Sequence, residues 1–152
     1  MRVFIPKETA DGETRVAATP ETVRNMVKAG LEVVAERGCG DASYFVDSDY
    51  EEAGASLLAA SPLEDSGGYA TADVVLKVAP PNAAEASAIR DGACVIGFLA
   101  PYANHAMARD FVKRTIASLS MELVPRITRA QKMDALSSQA SIAGYKAELL
   151  AA

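Results

Sequence analysis

Val74-Val-Leu-Lys-Val78 is followed by Pro80-Pro81, and this short apolar run with its double proline is the stretch that decides the fold. The run predicts a buried strand, which the prolines end because they cannot donate a hydrogen bond to a neighbouring strand. Ala83–Arg90 predicts a helix, and Ala93–Phe98 predicts a second buried strand. A strand, a helix and a strand joined by short connections are typical of a parallel sheet that is covered on both faces.

The same alternation of strand and helix extends in both directions along the chain. We expect an α/β fold with a parallel, flavodoxin-like or Rossmann-like sheet, helices on both faces and a single domain over residues 1–152. The stretch 61–68, which contains Pro, Ser and Gly, is expected to be a surface loop. The further predicted strands are Val3–Ile5, Leu31–Glu36, Ser56–Ala59 and Thr115–Ser120, and the further predicted helices are Pro20–Lys28, Asp47–Gly54 and Asn104–Lys113.

The segment from Met121 to Ala152 combines a polar loop with a long helix. Pro125 ends the strand before it, and Asp134 is placed to cap the helix N-terminus, with Ser137 three residues further on. A narrow apolar stripe, mostly alanine, runs along the helix beside a glycine, so another backbone could approach it closely. We therefore expect a connector helix with two neighbours. The stripe and the glycine are Leu136, Ala140, Ala143, Ala147, Leu150 and Gly144.

The composition is ordinary for a soluble globular protein, with 50% hydrophobic and 23% charged residues. A net charge of −5 argues against nucleic acid as a partner, because phosphate backbones attract clustered lysine and arginine. No apolar run approaches the roughly 20 residues that a membrane-spanning helix needs, and the N-terminus does not read as a signal peptide. We therefore expect the chain to be cytoplasmic.

Cys39, Cys94 and His105 form no recognisable motif. The two cysteines are far apart and lack paired ligands, so neither a zinc site nor a redox CxxC motif is predicted. We expect two buried thiols. His105 lies near a predicted helix start, where a surface or capping role is expected, and no metal site is predicted.

A glycine pair after the second predicted strand half-matches the GxGxxG fingerprint of dinucleotide-binding proteins. The stretch Gly38-Cys-Gly40-Asp-Ala-Ser43 has serine in place of the third glycine, and Asp41, Asp47 and Asp49 would repel phosphates. We therefore expect a tight turn here.

Two groups of residues are candidates for ligand binding. The first is the loop with Arg126, Gln131 and Asp134, whose amide and charges suit a planar polar ligand such as a carboxamide. The alternative is that Arg126 and Asp134 simply pair with each other and hold the loop. Residue spacing does not separate these two interpretations.

The second candidate lies at the carboxyl ends of the first strands, where open parallel sheets bind ligands. A charged cluster follows the first strand, and Lys77 lies near the end of another strand. A guanidinium fork on Arg15 and an ammonium on Lys77 can share one carboxylate. The cluster consists of Lys7, Glu8, Glu13 and Arg15.

Two long motifs give a resemblance to a known family. The run from Pro125 to Ala147 closely resembles domain I, the N-terminal region of the alpha subunit, of proton-translocating NAD(P) transhydrogenase. The opening Ile5-Pro-Lys-Glu8, followed by Glu13–Val23, resembles the signature shared by transhydrogenases and alanine dehydrogenases. The likeness covers essentially the whole chain.

The resemblance implies hydride transfer from NADH to NADP+ held on a separate NADP-binding component, coupled through a membrane component to proton movement. It implies that Arg126, Gln131 and Asp134 contact the nicotinamide end of NAD(H), with Ser137 nearby, and that no residue acts as a catalytic acid or base. It further implies a homodimer placed at the inner face of the cytoplasmic membrane by its partner components. An NAD-binding Rossmann domain is expected to follow residue 152, so the isolated chain is expected to bind NAD(H) poorly and to be inactive.

Two alternatives remain open. In alanine dehydrogenases the residues that Arg15 and Lys77 resemble hold the substrate carboxylate, which favours the substrate domain of such an amino-acid oxidoreductase. Against this, Ala100 lies at or near the position where that family has its catalytic histidine. The other alternative is a non-catalytic module that uses the small-residue helix for dimerisation or docking.

Overall fold

A computed structural model describes residues 1–58, 63 and 68–151 of the chain. Its strands are β1 (Arg2–Ile5), β2 (Glu32–Glu36), β3 (Ser56–Leu58), β4 (Val74–Leu76), β5 (Cys94–Gly97) and β6 (Ala117–Ser120). Its α-helices are α1 (Pro20–Lys28), α2 (Asp47–Glu52), α3 (Ala83–Ala88), α4 (His105–Lys113) and α5 (Ala135–Ala151). Short 3-10 turns lie at Asp41–Ser43, Met121–Leu123 and Thr128–Met133.

The six strands of the described residues form one sheet in the order β3-β2-β1-β4-β5-β6, and every pair is parallel. This is the strand order of the Rossmann fold, in which the chain direction across the sheet reverses between β1 and β4. The α/β prediction is confirmed, and the order selects the Rossmann-like rather than the flavodoxin-like form.

Successive side chains of the strands point to opposite faces and feed two cores. On one face Phe4 and Val34 pack with residues of α3 and α4, including Phe111. On the other face Ile5 and Val33 pack with residues from α1 and α2, including Tyr50. Both faces of the sheet are therefore covered by helices, as predicted.

Helix starts follow the capping residues of the sequence. Thr19 Oγ1 accepts a hydrogen bond from the backbone N–H of Thr22 at 3.3 Å, and Pro20 occupies the first helical position of α1. The Asn82 side chain accepts the N–H of Glu85 at the start of α3, while Glu85 accepts the N–H of Asn82 at 2.8 Å. This reciprocal pair is a capping box, which fixes α3 directly after the proline pair.

Several predicted boundaries were too generous. The strand predicted at Val74–Val78 ends at Leu76. The last strand begins at Ala117 because Thr115 has a left-handed backbone with φ 57°, which no strand residue adopts. Helix α3 stops at Ala88 because Ile89 is extended and turns its side chain into the core. Of the predicted surface loop 61–68, only Leu63 and Gly68 lie within the described residues, and Ala59 lies outside them.

Helix α5 stands apart from both cores. No residue of Ala135–Ala151 is buried, and the helix begins against the turn Met121–Leu123. A Cβ added at Gly144 would meet nothing within 4 Å. The close approach of a second neighbour therefore stays a prediction. None of the described helices is both long and apolar enough to cross a membrane.

Candidate functional site

The crevice between β1 and β4 is filled by the chain's own charged side chains. Lys77 Nζ lies 3.1 Å from Glu85 Oε1 and 3.4 Å from Glu8 Oε2, and all three side chains are buried. The Glu8 carboxylate also accepts the backbone N–H groups of Val78 at 2.6 Å and Ala79 at 3.2 Å. In an open α/β sheet a ligand commonly binds at this reversal point. Here that place is occupied by an internal carboxylate–ammonium network.

The network extends to two further groups near the same edge. Thr9 Oγ1 donates to Glu85 Oε1 at 3.2 Å, and Tyr69 shares the same surroundings, where burial raises the pKa of its phenol. Glu36, at the end of β2, accepts the backbone N–H of Lys7 at 2.8 Å. Burial raises the pKa of Glu36 above its usual 4.5, although the Lys7 N–H and charge oppose this. The carboxylates under the crevice therefore include one whose burial favours the protonated form.

Arg15 is held by a near neighbour. Its Nε and Nη2 donate to the two carboxylate oxygens of Glu13 at 2.7 and 2.6 Å, and its guanidinium lies 5.7 Å from the centre of the Phe98 ring. The hydrogen bond from Arg15 lowers the pKa of Glu13, partly opposed by burial. This bidentate pair fixes the guanidinium at the mouth of a cleft.

That cleft, the Arg15 cleft, has a volume of about 340 Å³. Arg15 and Lys77 both line it, so the structure brings this predicted pair together. Each cation already has carboxylate partners, because Glu13 holds Arg15 while Glu8 and Glu85 hold Lys77. A ligand carboxylate would therefore have to compete with internal carboxylates for both cations. The other lining residues include Phe98, Met121, Ala135 and Gln139.

Close packing of the backbone shapes the floor of this cleft. A Cβ added at Gly97 would lie 2.4 Å from the carbonyl oxygen of Lys77. Such a contact is far inside van der Waals distance, so only glycine allows the ends of β4 and β5 to approach this closely. The position of Lys77 therefore depends on the absence of a side chain at residue 97.

A second cleft, the Arg126 cleft, gathers the residues of the C-terminal loop. It has a volume of about 320 Å³ and is lined by Arg126, Ile127, Thr128, Gln131, Asp134 and Ser137. The structure thus brings together all four residues that the family resemblance implies for the nicotinamide site. The polar loop expected after Pro125 contains the 3-10 turn Thr128–Met133, which the sequence did not reveal.

Asp134 is fixed as the cap of α5. Its Oδ1 accepts the Ser137 N–H at 3.0 Å and its Oδ2 accepts the Ser137 hydroxyl at 2.6 Å. These hydrogen bonds, the hydroxyl first, lower the pKa of Asp134, and Arg126 contributes a smaller electrostatic effect. The cap predicted from the spacing of Asp134 and Ser137 is confirmed.

Arg126 and Gln131 keep their donors available. Among the described residues, Arg126 forms no ion pair with Asp134, so the alternative in which these two charges hold the loop is not observed. Across those same ranges of the chain, neither the Arg126 guanidinium nor the Gln131 side-chain amide has a hydrogen-bond partner. The Arg126 cleft therefore offers free donors and a free amide acceptor, in contrast to the Arg15 cleft.

The glycine pair at 38–40 is a packing turn. Gly38 has φ 70° and donates its N–H to Asp47 Oδ1 at 2.8 Å. A Cβ at Gly40 would lie 2.7 Å from the Tyr50 ring, which shows that the glycine makes room for a core side chain. The tight turn predicted for this stretch is confirmed.

The remaining candidates from the sequence are His105 and the two cysteines. His105 is exposed at the first position of α4. Cys39 is buried, and burial raises the pKa of its thiol to about 11. The prediction of two buried thiols was wrong for Cys94, which is half-buried at the start of β5. No group of residues able to hold a metal ion is found in residues 1–58, 63 and 68–151.

Two residues important to these clefts were not singled out from the sequence. Glu85 anchors Lys77, and the Asn82-x-x-Glu85 spacing of a capping box would have revealed its local role. Gln139 reaches the Arg15 cleft from α5, and no sequence signal indicates this, because the contact depends on how α5 leaves the sheet.

Comparison with known proteins gives a consistent family assignment. The family model described as "Alanine dehydrogenase/PNT, N-terminal domain" matches residues 4–143. A Rhodospirillum rubrum protein, named as the first portion of NAD(P) transhydrogenase subunit alpha, is 40% identical over 152 residues, which cover 97% of this chain and 38% of that protein. The solved structure of a transhydrogenase from Sinorhizobium meliloti superposes with a TM-score of 0.90 at 43% identity, covering 98% of this chain and 43% of that one.

The resemblance to alanine dehydrogenases is more distant. An alanine dehydrogenase of Mycobacterium tuberculosis is 36% identical over 124 residues, which cover 82% of this chain and 32% of that protein. In each of these comparisons the chain spans less than half the length of the protein it matches.

Proposed function

Because the chain belongs to the alanine dehydrogenase/PNT N-terminal domain family, we propose that it is the first domain of the NAD(H)-binding component of an NAD(P) transhydrogenase. In this proposal an NAD-binding Rossmann domain follows it, and the longer protein transfers hydride between NADH and NADP+ bound to a partner component. A membrane component couples the transfer to proton translocation and places this chain at the inner face of the cytoplasmic membrane. The component acts as a homodimer.

The availability of donors in the Arg126 cleft supports this proposal over amino-acid oxidation. Arg126 and Gln131 have no internal hydrogen-bond partners among the described residues, whereas Arg15 and Lys77 are engaged by Glu13, Glu8 and Glu85. A carboxamide has one acceptor and two donor hydrogens, which an amide and a guanidinium can match. The free groups of the Arg126 cleft therefore fit the nicotinamide end of NAD(H), and the charged side chains of the Arg15 cleft have a structural role.

The residues of the Arg126 cleft act by holding the ring in place. The nicotinamide supplies the hydride chemistry when it is bound. The Gln131 amide and the Arg126 guanidinium orient the carboxamide, while Asp134 and Ser137 fix the start of α5 beside them. Transfer between two rings depends on orientation and the exclusion of water, so no acid–base residue is needed. This agrees with Ala100 at or near the position where the family resemblance implies a catalytic histidine.

An alanine dehydrogenase-like substrate domain is the second candidate, because Arg15 and Lys77 do line one cleft. In it a substrate carboxylate competes with Glu13 for the Arg15 guanidinium. It also has Ala100 at or near the position where the family resemblance implies a catalytic histidine, and the one histidine, His105, is exposed at the start of α4. We therefore place it second.

The proposal is tested with Gln131→Asn in the protein at its natural length, mixed with an NADP-binding partner component. We expect the rate of hydride transfer from NADH to an NADP+ analogue to fall at least about tenfold, because a shortened amide no longer orients the ring. NADH affinity should change much less. Gln139→Asn is the matched control, since it makes the same change in the Arg15 cleft and should leave the rate unaltered.

An unchanged rate in Gln131→Asn would contradict the proposal. Loss of rate in Gln139→Asn alone would move the site to the Arg15 cleft, and alanine-dependent reduction of NAD+ would then select the dehydrogenase function. The isolated chain should bind NADH only weakly, which a direct titration measures.

A further inference from the structure

The loop that follows β5 contacts the loop that follows β6, a few residues before Arg126 in the sequence. Glu122 lies in the turn Met121–Leu123, and its Oε1 accepts a hydrogen bond from the backbone N–H of Ala100. The two residues are 22 positions apart in the sequence. A hydrogen bond to a carboxylate is stronger than one between neutral groups, so it ties the two loops firmly.

Ala100 needs such a tie. Its φ of 44° lies in the left-handed region, which residues other than glycine adopt only where the surroundings enforce it. Its carbonyl oxygen accepts the N–H groups of Ala103 at 2.9 Å and Asn104 at 3.0 Å, and the Asn104 side chain donates to Leu99 O at 3.0 Å. Those contacts are local, and Glu122 supplies a contact from outside the loop.

Glu122 makes this contact at a cost in hydrogen bonding. Its Oε2 and the neighbouring Ser120 Oγ are buried, and neither has a hydrogen-bond partner within the described residues. An unsatisfied buried oxygen is unfavourable, so stability alone does not favour a carboxylate at this position. The bond to Ala100 is the feature that the carboxylate provides.

The position of Glu122 links this tie to the site. Met121, directly before it, lines the Arg15 cleft together with Ala135, the first residue of α5. Arg126 follows four residues after Glu122, and Pro125 between them has a fixed φ. The turn and Arg126 thus lie in one short connection between β6 and α5, and α5 begins against that turn.

We propose that Glu122 is a positioning residue that holds the Arg126 cleft in register with the sheet through its bond to the Ala100 amide. This inference rests on the proposed function for the effect on hydride transfer, but the tie itself is independent of it. Glu122 does not line the Arg126 cleft. It acts through Ala100 and the turn.

The test compares Glu122→Ala, Glu122→Gln and Ser120→Ala in the protein at its natural length. Amide hydrogen exchange of the peptide spanning residues 98–104 reports the tie, and the rate of hydride transfer with a partner component reports the site. We expect Glu122→Ala to speed exchange in that peptide about tenfold and to slow hydride transfer about tenfold, with NADH affinity retained. Glu122→Gln keeps an acceptor oxygen, so exchange in the peptide and the rate of hydride transfer should both stay close to their wild-type values. Ser120→Ala should also leave both unchanged.

Exchange in the 98–104 peptide that is unchanged in Glu122→Ala would overturn the tie. Faster exchange with an unchanged rate of hydride transfer would overturn the positioning role. Failure of the proposed function is seen separately, as a rate unaffected by Gln131→Asn. If Glu122→Ala does not fold, Glu122→Asp replaces it, because the shorter side chain withdraws the carboxylate from Ala100 by one methylene. The same faster exchange and slower hydride transfer are then expected, and their absence overturns the proposal in the same way.

Discussion

Lys77 Nζ donates to Glu85 Oε1 across 3.1 Å, and the two side chains are only 1% and 4% exposed. Because Glu8 is a second carboxylate on the same ammonium, Lys77 balances two buried negative charges. The contact joins the end of β4 to the first turn of α3. The Lys77–Glu85 ion pair therefore holds α3 against the carboxyl edge of the sheet.

Lys77→Met should lower the free energy of unfolding by about 3–5 kcal/mol, because it leaves Glu8 and Glu85 buried without a cation. Urea denaturation measures this. Lys28→Met is the matched control, since Lys28 is exposed in the last turn of α1 and should cost less than about 1 kcal/mol. Equal losses in the two variants would show that the buried network does not hold Lys77.

Gly97→Ala should destabilise the protein by about 1–3 kcal/mol, because the added Cβ meets the Lys77 carbonyl oxygen at 2.4 Å and forces β4 and β5 apart. The control is Gly144→Ala in α5, where the Cβ meets nothing within 4 Å. That change should be neutral or stabilising by up to about 1 kcal/mol, since alanine favours a helix. Thermal or urea unfolding of this chain measures both, and a stabilising Gly97→Ala would refute the close contact.

Glu36→Gln should change how stability depends on pH. Burial raises the folded-state pKa of Glu36 above 4.5. Its contribution to the stability of the folded protein is therefore fully present below the unfolded-state pKa, where the carboxyl is protonated. The contribution is lost as the pH rises through the folded pKa. The variant stays neutral, so its stability relative to the wild type should improve as the pH is raised from about 4 to about 7.

Unfolding free energies of both proteins across that range measure the effect. Glu13 should show the opposite dependence of stability on pH and serves as an internal comparison. Arg15 lowers the pKa of Glu13, so the contribution of Glu13 to stability is lost as the pH falls. A difference between wild type and Glu36→Gln that does not vary with pH would count against a raised pKa at Glu36.

Local signals in the sequence account for much of the fold. The apolar run before Pro80, the proline at position 20 and the Asp134–Ser137 spacing each predict an element or cap that the structure contains. Such features depend on residues a few positions apart, so the sequence displays them directly. The 3-10 turn Thr128–Met133 has no periodic apolar pattern, which is why it was not predicted.

The state of the candidate site was harder to predict. The sequence correctly grouped Arg15 with Lys77, and Arg126 with Gln131, but it did not show which cations are free. Glu8 lies 69 positions before Lys77 in the chain and reaches it only through the pairing of β1 with β4. Whether a cationic side chain already has a carboxylate partner depends on the folded sheet, whereas the cap at Asp134 depends on the residues of a single turn.

The exposure of α5 separates the folding of this chain from its candidate site. The sheet and its two cores are complete by residue 120, while the Arg126 cleft is carried by a segment that buries little more than Ala130. Substitutions in that segment should carry little penalty for folding, so this surface can diversify while the scaffold stays constant.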